Sequence, residues 1–133
     1  MRKYLYQIIV LSFVAVALGI VLFVKFSTPR YDFPMPQKGE VTIVEVGSTI
    51  CEPCQLLRPE IEKIKTKLEG KVTVHIVEIT NVSKDAYKIQ LIPSVLVFDK
   101  NGQEVARKIF AKEDVPGTEE WLKEKTLPLG VEW

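Results

Sequence analysis

EVTIVEVGSTICEPCQLLRPEIEKI, residues 40–64, contains both cysteines of the chain, Cys51 and Cys54. The stretch begins as a strand. Residues 41–46 are a short apolar run with three valines and an isoleucine, a β-rich composition. Residues 47–50 read as a turn, and a helix is expected from about Cys51. Leu57, Ile61, Ile64 and Leu68 recur at i, i+4, i+7 and i+11, one helical face. Gly70 stands where a helix ends, and Pro59, inside the pattern, is expected to bend it. A strand therefore feeds a helix whose first turn holds two sulfurs.

Three chemistries fit two cysteines spaced C-x-x-C. A structural zinc site needs four ligands. This region offers two thiolates and His75, which lies in the apolar run 72–79 and reads as a packed strand residue. A site shared between two chains stays open. A structural staple gains little, because so small a ring removes little loop entropy. The redox reading has a physical basis. A cysteine at a helix N-terminus faces unpaired N–H groups and the positive end of the helix dipole, which favour the nucleophilic thiolate. Cys51 is thereby the attacking residue. Cys54, one turn further in, is placed to resolve a mixed disulfide. Pro53 suits the first turn, where its missing N–H is no loss. Glu52 has two readings. Beside Cys51 its carboxylate disfavours the thiolate and makes the pair more reducing; alternatively it is a solvated acid favoured by the helix dipole.

Outward from this stretch, residues 72–79 read as a strand with little alternation, the pattern of a strand buried on both faces. Residues 83–90 form a short helix or turn. Two strands then meet at Asn101-Gly102, a strong hairpin signal. A last helix falls within residues 118–125, with Trp121 and Leu122 as its core contacts. The first strand–helix–strand unit has the length of a parallel crossover. The fold class is α/β: a four-stranded mixed sheet flanked by helices. Glu45 lies in a strand expected to be buried on both faces, where a carboxylate is costly unless partnered or protonated. A strand-edge glutamate reaching water is the plain alternative.

At the N-terminus, 21 uncharged residues separate Lys3 from Lys25. At 1.5 Å each they span roughly 30 Å, a bilayer's hydrocarbon core. A cleaved signal peptide has a shorter apolar region, and the only A-x-A triplet, residues 15–17, lies inside this run. The expectation is one uncleaved transmembrane helix, meeting lipid through residues 4–24. Arg2 and Lys3 precede it; Lys25 and Arg30 follow, with Asp32 behind. The positive-inside bias puts the N-terminus in the cytoplasm and the rest outside it, where disulfide chemistry is normal. Pro29, Pro34 and Pro36 mark an extended linker. The division is thus an anchor at 1–25, a linker at 26–39 and a domain at 40–133. The net charge of +1, with both signs interspersed, gives no nucleic-acid footprint.

These residues resemble the thioredoxin fold. C-x-P-C follows the first strand. Pro59 stands five residues after Cys54, where thioredoxins carry a helix-bending proline. Ile92-Pro93 resembles the family's cis-proline, and DKNGQEV is similar to its hairpin turn. The resemblance covers about residues 40–125 and describes a minimal thioredoxin fold, the span of the usual first β-α unit being taken by the linker. It implies that Glu45, six residues before Cys51, exchanges a proton with Cys54 as the mixed disulfide resolves. It also implies that Pro93, otherwise a plain loop breaker, presents the Ile92 backbone to an extended substrate. Ile50 replaces the usual tryptophan beside the cysteines, Phe110 replaces a glycine, and Ile76 stands where a lysine often faces the buried acid.

With the anchor, C-E-P-C resembles the membrane-anchored thioredoxins of the TlpA and ResA type. That likeness implies a thiol–disulfide oxidoreductase acting on protein disulfides outside the cytoplasm, apocytochrome c being one such substrate. It implies no bound cofactor beyond the Cys51–Cys54 couple, no metal, and a transmembrane thiol donor to restore the dithiol. A non-catalytic binding module or a thiol-based metal carrier is the alternative.

Overall fold

The computed structural model describes residues 1–27 and 35–133. The proposed linker residues Pro29 and Pro34, and the flanking charges Arg30 and Asp32, lie outside the described residues. The chain divides into two compact units, Met1–Asp32 and Phe33–Trp133.

The first unit contains α1, Arg2–Ser27. Its segment Arg2–Phe26, 25 residues, is long and apolar enough to cross a membrane. Apolar residues cover it all round, as lipid requires and a soluble amphipathic helix does not show.

The second unit runs β1 (Thr42–Gly47), α2 (Glu52–Lys67), β2 (Thr73–Glu78), α3 (Asn81–Tyr87), β3 (Ser94–Phe98), β4 (Glu104–Ile109) and α4 (Thr118–Thr126), with short 3-10 turns at Lys112–Gly117 and Leu127–Leu129. The sheet order is β2-β1-β3-β4. β1 and β2 are parallel, joined by the α2 crossover, while β1–β3 and β3–β4 are antiparallel. This is the expected mixed four-stranded sheet of a thioredoxin-like fold.

Strand alternation divides the core in two. Ile43 of β1 packs with Leu57, Ile61 and Ile64 of α2 and Leu122 of α4. Val44 and Val46 turn to the other face, against Tyr87, Ile89 and Leu96. Helices thus cover both faces, and β1 and β3 are buried along their whole length. β2 departs from the expectation of burial on both faces. It is an edge strand, and only Val74 and Val77 are fully buried. Its apolar run reflects contact with two helical layers rather than a central position. His75 sits on this edge strand, partly exposed, its pKa lowered by desolvation and then by Lys65.

Local chemistry explains the boundaries. α2 passes through Pro59 without interruption, ends at Lys67 and is capped by Leu68; Gly70 follows two residues later with φ +80°. Thr80 and Ser83 form a reciprocal capping box on α3. In the β3–β4 turn, Asp99 Oδ1 accepts from the backbone N–H of Asn101 (2.9 Å) and Gln103 (3.0 Å), and Gly102 takes φ +79°. Leu122 is buried as expected, whereas Trp121 is half-buried and stands edge-on to Phe110 at 5.6 Å.

Candidate active site

β1 delivers the chain to the site. After Gly47 the turn is tied down at three points: Cys51 N–H donates to Ser48 O (3.3 Å), Ile50 N–H to Ser48 Oγ (3.3 Å) and Thr49 N–H to Glu78 Oε1 (3.1 Å). Cys51 is the N-cap of α2, with extended backbone, and its Sγ accepts from Cys54 N–H at 3.4 Å. The two cysteines are joined in a disulfide with their Cα atoms 5.2 Å apart. Pro53 occupies the first turn of α2. Cys51 is partly exposed and Cys54 is fully buried. A sulfur at the helix end and open to solvent is suited to attack. One inside is suited to close the ring.

Glu45 is fully buried, on the same face of β1 as Ile43 and Gly47. Gly47 brings the acid and the inner sulfur together. A Cβ on Gly47 would collide with Glu45 Oε1 and stand 3.1 Å from Cys54 Sγ, so both atoms border one small space that glycine leaves open. Oε1 has no hydrogen-bond partner among the described residues. Oε2 faces Arg58 Nε at 3.4 Å. Burial pushes the Glu45 carboxyl up from 4.5 to about 7, with Arg58 opposing and Glu78 adding a small further rise. Desolvation prevails because the guanidinium is shared: Arg58 donates at a shorter 2.9 Å to Glu78 Oε2.

The register places Ile76 directly beside Glu45, so the lysine expected from the resemblance is indeed lacking on β2. The cation comes from α2 instead. Arg58 lies four residues beyond Cys54, on the same helical face. That spacing was a usable signal; the bridge to Glu78 at the end of β2 was not.

Glu52 is exposed and pairs with Lys112 at 2.7 Å. This pairing holds its pKa down and raises that of Lys112. Glu52 is thus solvent-exposed in the first turn of α2, and Lys112 faces the carboxylate that follows Cys51 in sequence. Lys112 is 60 residues away in sequence, beyond any local pattern.

The Ile92–Pro93 peptide bond is cis. Pro93 O accepts from Phe110 N–H at 3.0 Å, and Val46 pairs with Ser94, which puts the Pro93 loop at the same end of the sheet as the cysteine turn. Ile92 is partly buried against the Val44 core layer. Ile50, beside Cys51, is 91% exposed, and Leu91, unmarked by any motif, is 64% exposed. Phe110, which stands where the resemblance has a glycine, is buried in the core layer with Leu57 and Leu122. Among the described residues, no group of three or more His, Cys, Asp or Glu side chains is gathered as a metal site would need.

The family model described as Thioredoxin matches residues 23–122. A thioredoxin of Staphylococcus aureus (strain N315) is 29% identical over 80 residues, covering 59% of this chain and 76% of the relative. Among solved structures, the thioredoxin of Fasciola hepatica superposes with a TM-score of 0.56 at 19% identity, over 66% of this chain and 83% of that one. Thioredoxin NaTrxh from Nicotiana alata gives 0.57 at 24% identity, over 72% and 77%.

Proposed function

The chain belongs to the thioredoxin family, and from that premise we propose that it is a membrane-anchored protein-disulfide reductase working outside the cytoplasm. The general chemistry is that of a thiol–disulfide oxidoreductase, since the C-x-x-C pair stands at disulfide distance in a thioredoxin-type domain. The single observation that carries the disulfide-exchange chemistry is the division of labour at the site: a partly exposed Cys51 at the helix end, and a buried Cys54 facing a buried acid.

In the reduced protein, the Cys51 thiolate attacks one sulfur of a substrate disulfide. The other substrate sulfur leaves and takes a proton. Cys54 then gives its proton to the Glu45 carboxylate and attacks Cys51 Sγ. The second substrate sulfur departs and is protonated in turn. Two electrons have passed to the substrate, whose two protons come from solvent and from Glu45, which returns the one it took from Cys54, and the Cys51–Cys54 disulfide remains. Glu45, with a pKa near 7, is divided between its two forms at neutral pH and serves as both acceptor and donor of the Cys54 proton. Pro93, Ile92 and the exposed Ile50 offer backbone and apolar contact to an extended substrate segment. No bound cofactor is needed, but a thiol donor in or near the membrane must restore the dithiol.

α1 supports the anchoring, and the Arg2 and Lys3 side of it the orientation. The direct test is insulin reduction by the full chain in detergent, with Cys51→Ser as control. Reduction that survives this substitution would overturn the assignment. Labelling of a single-cysteine reporter fused after the domain, with an impermeant thiol reagent on intact cells, decides the side of the membrane. Thiol trapping in cells reads the direction: a mostly reduced Cys51–Cys54 pair supports a reductase, a mostly oxidised pair contradicts it.

A further inference from the structure

The buried carboxyl has an asymmetric environment. Oε2 faces a cation, while Oε1 is unpartnered among the described residues and borders the space shared with Cys54. The cation is itself held. Arg58 Nη2 donates to Glu78 Oε2 at 2.9 Å, and Glu78 Oε1 accepts from Thr49 N–H at 3.1 Å, inside the turn that leads to Cys51. The Arg58 side chain is only 20% exposed. A forked guanidinium can touch two carboxylates at once, which a single ammonium does less well. The arrangement therefore links the cysteine turn, the end of β2, the face of α2 that carries Cys54, and the buried acid.

We propose that Arg58 is a positioning residue for Glu45: pinned by Glu78, it holds Oε2 so that Oε1 stays turned toward Cys54, and it fixes how firmly the carboxyl keeps its proton. The functional consequence rests on the proton role proposed above for Glu45. The charged or titratable groups facing Glu45 are Arg58 and Cys54 from α2 and Glu78 from β2; its β3 neighbour, Val95, is apolar. Arg58 favours the carboxylate, while burial and Glu78 oppose it. The two partners of the bridge thus act with opposite signs.

The test uses the full chain in detergent micelles, labelled with 13C at glutamate carboxyls. The Glu45 titration midpoint is followed by NMR in the oxidised protein, and the disulfide-exchange rate against pH in parallel. Arg58→Leu is expected to raise the midpoint by about one pH unit or more. Arg58→Lys should fall between the two, and Glu78→Gln should lower it. An unmoved midpoint in folded Arg58→Leu overturns the proposal. If that variant does not fold, unmoved midpoints in both Arg58→Lys and Glu78→Gln overturn it. A midpoint that moves together with the alkaline limb of the rate profile supports both the proposal and the proton role. A midpoint that moves while the rate profile stays fixed supports the placement of Arg58 and overturns the proton role of Glu45.

Discussion

Gly47 and Cys54 meet at the end of β1, where a Cβ on the glycine would stand 3.1 Å from the cysteine sulfur. The same Cβ would displace the Glu45 carboxyl. Glutamate is one methylene longer than aspartate, and the bare backbone at Gly47 gives it the room. Gly47→Ala is expected to destabilise the oxidised protein by about 1–3 kcal/mol through overpacking. The penalty should shrink by at least about 0.5 kcal/mol in a Glu45→Asp background, where the shorter acid withdraws. A denaturant double-mutant cycle checks this; strictly additive costs would contradict the shared space.

Burial of Glu45 makes stability depend on pH in a defined direction. Its carboxyl titrates near 7 in the folded protein and near 4.5 when unfolded. Between these values the folded state holds the proton and the unfolded state has lost it. Raising the pH through that window therefore works against folding. The expected loss relative to Glu45→Gln is on the order of 3 kcal/mol by pH 8. Parallel stability curves for the two proteins from pH 4 to 8 would refute it.

The cysteines should fail differently. Cys51→Ser is expected to reduce disulfide exchange to the uncatalysed background. Cys54→Ser leaves the attacking sulfur in place and should accumulate mixed disulfides with substrate, seen as reducible adducts on non-reducing gels. Adducts on the Cys51→Ser protein instead would reverse the two roles.

Lys112 offsets the charge of Glu52 beside the attacking sulfur. Lys112→Ala should therefore move the onset of Cys51 alkylation to more alkaline pH, and Glu52→Gln in the same protein should return it. Both groups are exposed, so the effect should fade in 1 M salt, where the Debye length is about 3 Å. An effect that persists at high salt would point to a structural cause.

Much of the fold was legible because periodicity and punctuation agreed. The Leu57–Ile61–Ile64 face, the Asn101-Gly102 turn and the β1 run each act through a few neighbouring residues, and each lies where expected. The position of β2 was not legible, since an apolar run reports burial and not which strand lies outside it. At the site, the C-x-x-C pair and the burial of Glu45 could be read from the strand and helix patterns, while a role for Glu45 came only from the resemblance. Lys112 against Glu52 and Arg58 against Glu78 could not, because long side chains meet there across elements that only the fold brings together. Phe110 shows the converse: its replacement of glycine was visible, but which way its ring turns depends on the space beneath α2 and α4.

The edge position of β2 also has a signature in isotope exchange. Thr73 N–H donates to Val41 O at 3.0 Å and Ile79 N–H to Gly47 O at 2.8 Å, so the odd-numbered amides of this strand turn toward β1. Those of Val74, Ile76 and Glu78 turn away from the sheet. Deuterium should enter β2 with a period of two, rapidly at even positions and slowly at odd ones, whereas β1, flanked on both sides, should resist along its whole length. The strand that closes the sheet is thus half open to water, one amide in every two.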